Sequence, residues 1–130
     1  MSRFFAVAAC VLALGVAAGA FGAHGLKAML TPEMLAIWET AARYHLIHGL
    51  GLFAVAYADD RGVGRTARLA GLLLLGGLVL FSGSLYGYAL TGARGLAMIT
   101  PLGGLCFIGG WVTLGVGAWR FGARAAPRSP

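Results

Sequence analysis

Long uncharged runs separated by short charged clusters set the pattern of this chain. Phe4–Ala23 carries no charge between Arg3 and His24, Leu69–Thr91 none between Arg68 and Arg94, and Pro101–Trp119 none before Arg120. A membrane-crossing helix needs about 20 mostly apolar residues, so each run predicts one span. The remaining apolar stretch, Leu46–Ala58, has only 13 residues and is too short alone. Its helix must therefore begin earlier, and Thr31-Pro32 offers a start, with Thr as N-cap and Pro at the first helical position. The pattern predicts helices at 4–24, 32–58, 67–91 and 101–120, with 121–130 a basic cytoplasmic tail. Together they make a single all-α domain over residues 1–130, a compact four-helix transmembrane bundle.

Composition agrees with that reading. Hydrophobic residues make up 59% of the chain and charged ones 11%, against about 25% charged in soluble domains. A net charge of +6 would suggest nucleic acid in a soluble protein, but no basic stretch is interleaved with aromatics, so nucleic acid is excluded as a partner. The cations act instead as topology signals. Arg3, Arg61, Arg65, Arg68, Arg120, Arg124 and Arg128 fall on one side of the predicted topology, and Lys27, Arg43 and Arg94 on the other. Both ends are expected in the cytoplasm and the chain in the inner membrane. The first run exceeds the 7–15-residue core of a signal peptide, so it is expected to stay as a span. Cys10 and Cys106 are too few for a disulfide framework.

Two loops resemble each other: "GAHGLKAMLTP" (22–32) aligns with "GARGLAMITP" (92–101) after one gap. Either a narrow alphabet explains the match, or the chain is two pseudo-repeated hairpins. Both Thr-Pro pairs are expected to start helices. Glycine, 22 of 130 residues, is expected to let backbones approach within the bilayer, with Gly15/Gly19 and Gly83/Gly87 as G-x-x-x-G pairs.

The polar residues of the second helix divide by face. Ala41, Tyr44, His45, His48, Gly49, Leu52 and Ala56 form a small, polar side expected to meet other helices. Glu39, Arg43, Leu46, Leu50, Phe53 and Tyr57 form the other, with Glu39, Arg43, Phe53 and Tyr57 as candidate partner-facing residues. Glu39 and Arg43 have the four-residue spacing of an ion pair. Polar groups in a bilayer are costly and tend to face the interior. His24, Tyr44, His48, Ser82, Ser84, Tyr86 and Thr100 are accordingly expected to form one polar cluster in the outer half, binding something or holding helices together. His24, His45 and His48 are the candidates for a haem or metal site, though no carboxylate or thiolate stands beside them. Ser82 and Ser84 lack the surroundings of a catalytic nucleophile, and interhelical hydrogen bonding is their expected role.

At "GAFGAHGL", "YHLIH", "LFSGSLY" and "ITPLGG…GGW" the sequence resembles the domain of unknown function 423 family, the YgdD-like small inner-membrane proteins. The resemblance runs from about Phe4 to about Trp119. Gly19, Phe21, Gly22, His24, Tyr44, His48, Ser82, Gly83, Ser84, Tyr86, Thr100, Pro101, Gly103, Gly104 and Trp111 match its pattern. At the position of His45 relatives can carry glutamine, which weighs against a metal site that needs His45. The resemblance implies four transmembrane helices and supplies no reaction. The expected role is that of a non-enzymatic structural or accessory partner of another membrane protein, without a cofactor. The alternatives are small-molecule or ion binding or transport at the polar cluster, and a haem- or metal-binding module.

Overall fold

Hydroxyl caps and left-handed glycines divide the chain, and the computed structural model describes residues 1–125. Helix α1 (Arg3–Phe21) starts at Ser2, whose hydroxyl accepts from the Phe4 N–H at 3.3 Å, and it runs on as a π-helical turn, Gly22–Leu26. Helix α2 (Pro32–Asp60) starts as the sequence predicts: the Thr31 hydroxyl accepts from the Met34 N–H and Pro32 takes the first turn. Gly62 (φ 95°) and Gly64 (φ 67°) turn the chain through a region that a Cβ disfavours. Helix α3 (Arg65–Gly77), a π-helical segment (Leu78–Gly83) and helix α4 (Ser84–Thr91) then form one rod. Gly92 (φ 70°) ends it, and helix α5 (Arg94–Ala125) completes the described chain.

Among the described residues, three helical stretches are long and apolar enough to cross a membrane: Arg3–Leu26, Arg65–Thr91 and Arg94–Arg124. Helix α2 is not among them. Its 29 residues give about 44 Å of length, but Glu33, Glu39, Arg43, His45 and His48 lower its apolar character.

Two further expectations fail locally. The last helix begins at Arg94, not at 101, so Thr100-Pro101 lies inside it. The left-handed Gly92 has already reversed the chain, the Ala93 carbonyl accepts from the Leu96 N–H, and the helix is running before it reaches the proline. The two similar loops therefore differ in structure: "GAHGL" is a π turn and Thr31-Pro32 a helix start, whereas "ARGLAMITP" is a turn and continuous α-helix. The basic tail also starts late, since residues 121–125 are helical; residues 126–130, with Arg128, lie outside the described residues.

Helices α1 and α2 pair as one hairpin, the α3–α4 rod and α5 as another, and α2 lies against the rod between them. The core runs along this seam through Ala8, Leu52, Val55, Ala70, Leu74, Leu78 and Phe107. A smaller core of Leu26, Trp38 and Ala89 closes the far end. There Trp38 Nε1 donates to the Ala18 carbonyl at 2.8 Å, and its ring lies against Gly22.

The glycines work differently from the G-x-x-x-G expectation. Gly19 faces open space, Gly83 meets only its own helix, and Gly15 receives the side chain of Leu46. Most close approaches take a side chain: Phe4 sits on Gly71, Phe107 on Gly77 and Thr66 on Gly117. Two glycines of α5 meet the rod's backbone: Gly103 closely, at Leu80 and Phe81, and Gly110 less so, at the Ala70 carbonyl oxygen. Leu14, Val16, Leu72, Val79, Leu105 and Ile108 are exposed on the outside. So continuous an apolar exterior suits lipid and not water.

The N-terminus, the α2–α3 turn and the end of α5 meet at one end of the bundle. Ser2 Oγ donates to Asp59 Oδ2 at 2.8 Å, the Met1 ammonium lies 3.8 Å from Asp60 Oδ1, and Phe121 covers Gly62. Arg3, Arg61, Arg65, Arg68, Arg120 and Arg124 belong to this end, whereas Lys27 and Arg94 follow the far ends of α1 and the rod.

Candidate functional site: two grooves flanking α2

His45 and His48 are three residues apart, which turns them about 60° from each other around the helix. Helix α2 crosses the rod between them, so each histidine enters a different groove. His48 faces one between α2 and α5, about 460 Å³, walled by Tyr44, Phe81, Gly104, Phe107, Ile108, Trp111 and Val112. His45 faces one between α1 and the rod, about 350 Å³, walled by Val11, Leu75, Leu78, Val79, Ser82, Gly83 and Tyr86. The expected single polar cluster is thus divided.

In the first groove His48 is 5% exposed, with its ring stacked on Phe107 at 3.4 Å between centroids and 10° between planes. Nδ1 lies 2.7 Å from the Tyr44 carbonyl oxygen. A carbonyl can only accept, so Nδ1 carries the proton and donates, and in the neutral ring Nε2 is a lone-pair acceptor. Nε2 has no partner among the described residues. The Tyr44 ring is stacked parallel to His48 at 5.8 Å, and Trp111 stands 6.3 Å away. Trp111 also reaches Gly51 of α2, which has no side chain to obstruct it.

In the second groove His45 Nδ1 and the Tyr86 hydroxyl are 3.3 Å apart. Ser82 Oγ is buried there and makes no hydrogen bond among the described residues. Between rod and α5, Ser84 Oγ reaches the Leu80 carbonyl at 2.6 Å, the Phe81 carbonyl at 2.9 Å and Thr100 Oγ1 at 2.8 Å. The serine has one proton, directed at its own helix's carbonyls, so Thr100 donates to Ser84. This pair links the two helices.

His24 does not join either group: it is exposed on the π turn, away from His45 and His48. Among the described residues no three histidine, cysteine, aspartate or glutamate side chains converge. The three candidates are thus not brought together: His24 lies on the π turn, and α2 directs His45 and His48 into different grooves.

The candidate partner face is also revised. Glu39, Arg43 and Tyr57 are exposed, but Phe53 packs edge-on against Phe5 of α1 at 4.8 Å. Glu39 and Arg43 are not within ion-pair distance, since both extend outward from the helix. Tyr57 lines a further groove of about 350 Å³ with Arg61, Leu114 and Phe121.

Trp38, Phe81 and Phe107 were not picked out by sequence reasoning as site or core residues. The signals were present: Trp38 lies on the Ala41/His45/His48 side of α2, and Gly104, Phe107 and Trp111 recur at helical spacing along one side of α5.

Comparison with known proteins adds the following. Residues 18–104 match the model of the family described as Protein of unknown function (DUF423). The chain is 43% identical over 123 residues to the UPF0382 membrane protein YwdK of Bacillus subtilis, covering 93% of this chain and 99% of that one. It is 42% identical to UPF0382 membrane protein SH2409 of Staphylococcus haemolyticus, over 93% and 98% of the two chains. It is also 42% identical to SSP2132, a UPF0382 membrane protein of Staphylococcus saprophyticus, over 92% and 99%. No solved structure matches.

Proposed function

The chain belongs to the DUF423 family of membrane proteins, and for this member we propose the role of a non-enzymatic accessory partner of another protein in the inner membrane. In this reading all four rods cross the bilayer and both ends lie in the cytoplasm. The arginines gathered at the end shared by Met1, the α2–α3 turn and α5 support that orientation. In this reading helix α2 crosses as well, with Glu39 and Arg43 in the half that follows Thr31.

One observation carries the accessory role. Helix α2 leaves a stripe of Glu39, Arg43, Ile47, Leu50 and Tyr57 exposed, with its two charges unpaired among the described residues. Charges within a membrane-facing stripe are costly unless they find a polar partner. A polar site on a neighbouring membrane protein would supply one.

The test has two arms. In a chain whose Cys10 and Cys106 are replaced by alanine, single cysteines at positions 27, 61 and 95 are exposed to a membrane-impermeant maleimide on intact spheroplasts. Positions 27 and 95 should label and 61 only after lysis; the reverse pattern overturns the topology. Photo-crosslinking residues at 43, 50 and 57 should then join the chain to one stoichiometric neighbour, while position 52, in the core, should not. Equal, diffuse crosslinking from all four positions sinks the accessory role.

A second reading, small-molecule binding, is favoured by the unpartnered Nε2 of His48 in the α2–α5 groove.

A further inference from the structure

We infer that the α2–α5 groove binds a membrane-soluble molecule built on a flat ring that bears a hydroxyl, a phenol or hydroquinone, with the hydroxyl donating to His48 Nε2. The inference rests on the small-molecule reading of this groove and names the ligand's chemistry.

The argument begins with what His48 has left to offer. One face of its ring is covered by Phe107 at 3.4 Å, and Nδ1 is committed to the Tyr44 carbonyl at 2.7 Å. The side chain is 5% exposed, so the Nε2 edge is what it presents to the groove it lines. Unlike Ser82 Oγ, Nε2 is not sealed off: it opens on the groove, and an acceptor without a donor is costly at membrane depth, where water is scarce. A ligand hydroxyl satisfies it.

The walls select the rest of the molecule. Tyr44, Phe81, Phe107 and Trp111 present ring faces and edges, which favour another flat ring through offset or edge contacts. Gly104 contributes no side chain, and the Phe81 ring is its nearest neighbour at 3.9 Å from where a Cβ would stand. The volume, about 460 Å³, falls in the range of small-ligand sites and accommodates one substituted ring. The groove opens sideways between two helices with apolar exteriors, so an apolar tail can remain in lipid. No carboxylate lines it, which disfavours a cation despite the aromatic walls.

A donor requirement makes a sharp prediction for a redox pair of otherwise equal shape. The hydroquinone can donate to Nε2; the quinone has carbonyl acceptors only and leaves Nε2 unpaired. The test uses the full chain in lipid nanodiscs, with empty nanodiscs to subtract partitioning. The probes are a decyl-substituted benzohydroquinone, held anaerobically, and the matching benzoquinone. The expected result is saturable binding of the hydroquinone, with the quinone at least about ten-fold weaker, as loss of one buried hydrogen bond implies. His48→Phe keeps a ring on Phe107 and removes the acceptor, so hydroquinone affinity should fall to that of the quinone. Gly104→Leu fills the groove without touching His48 and should abolish binding of both; it serves if the His48 variant fails to fold. Saturable binding without preference for the reduced form overturns the ligand class and leaves the groove as a site. Absence of saturable binding by either probe, or binding undiminished by Gly104→Leu, overturns both.

Discussion

Gly103→Ala is the sharpest test of the packing. A Cβ at this position would run into the Phe81 backbone nitrogen and stand 2.7 Å from the Leu80 carbonyl carbon. The obstructing atoms are backbone in the π-helical segment, so no rotamer change relieves the contact. Reaching ordinary van der Waals distance requires α5 and the rod to separate by about 1 Å, and densely packed interiors resist such shifts. Overpacking typically costs about 1–3 kcal/mol, and a backbone obstruction belongs at the upper end. The separation would also stretch the Thr100–Ser84 hydrogen bond (2.8 Å) and disturb Phe107 on Gly77. The neighbouring glycine is the control: at Gly104 the nearest atom to a Cβ is Phe81 Cδ2 at 3.9 Å, so Gly104→Ala should change stability by under about 0.5 kcal/mol. The assay is unfolding of purified protein in mixed micelles by increasing sodium dodecyl sulfate, followed by tryptophan fluorescence and circular dichroism. Equal midpoints for Gly103→Ala and wild type, or equal losses at 103 and 104, would refute the backbone-contact reasoning.

Three smaller predictions use the same assay. Ser82→Ala removes a buried hydroxyl without a partner and should raise stability by up to about 1 kcal/mol; a clear loss would mean that the hydroxyl is hydrogen-bonded. Ser84→Ala removes the acceptor of Thr100 and should lower stability by about 0.6 kcal/mol, the average for such interhelical bonds, with Thr100→Val costing no more when added to it; additive losses would show that the two hydroxyls act separately. Trp38→Phe loses the Nε1–H donated to Ala18. Because the Ala18 carbonyl also accepts from the Gly22 N–H, the loss should stay at the low end of about 0.5–1.5 kcal/mol, and a larger loss would show that ring packing in the small core dominates.

Helix existence was legible in the sequence because charge is excluded from long runs in a bilayer. The limits of the first two helices were close to the predicted ones where a capping residue marks them, as at Thr31. Thr100-Pro101 shows where that logic fails. The same dipeptide starts one helix and lies inside another, because the decision belongs to the chain before it. Lys27–Leu30 lead into Thr31 as a turn, whereas Gly92 has already reversed the chain and α-helix is continuous from Arg94. A proline seven residues into a helix loses one backbone bond, and the Thr100 hydroxyl, bonded to Ser84, ties that stretch to the rod.

The site was only half legible for a related reason. Residue type shows that Tyr44, His45, His48, Ser82, Ser84, Tyr86 and Thr100 are polar and spanned by apolar runs, but not which of them meet. The π-helical segment Leu78–Gly83 contains Ser82 and precedes Ser84, and each added residue per turn shifts the side chains that follow relative to a regular α-helix. Ser84 faces Thr100 while Ser82 lines the His45 groove; two residues apart, they already stand about 200° from each other around a helix, and what the sequence leaves open is which neighbour each side meets. The consequence is a bundle in which nearly every internal polar group is matched within its own helix or across one seam. Two groups depart from this: Ser82 Oγ is buried without a partner, and His48 is matched through Nδ1 and open through Nε2. The two differ in access: Ser82 Oγ is sealed in, whereas His48, stacked on Phe107, turns its open nitrogen to a groove, which is why the binding proposal is built on His48 and not on Ser82.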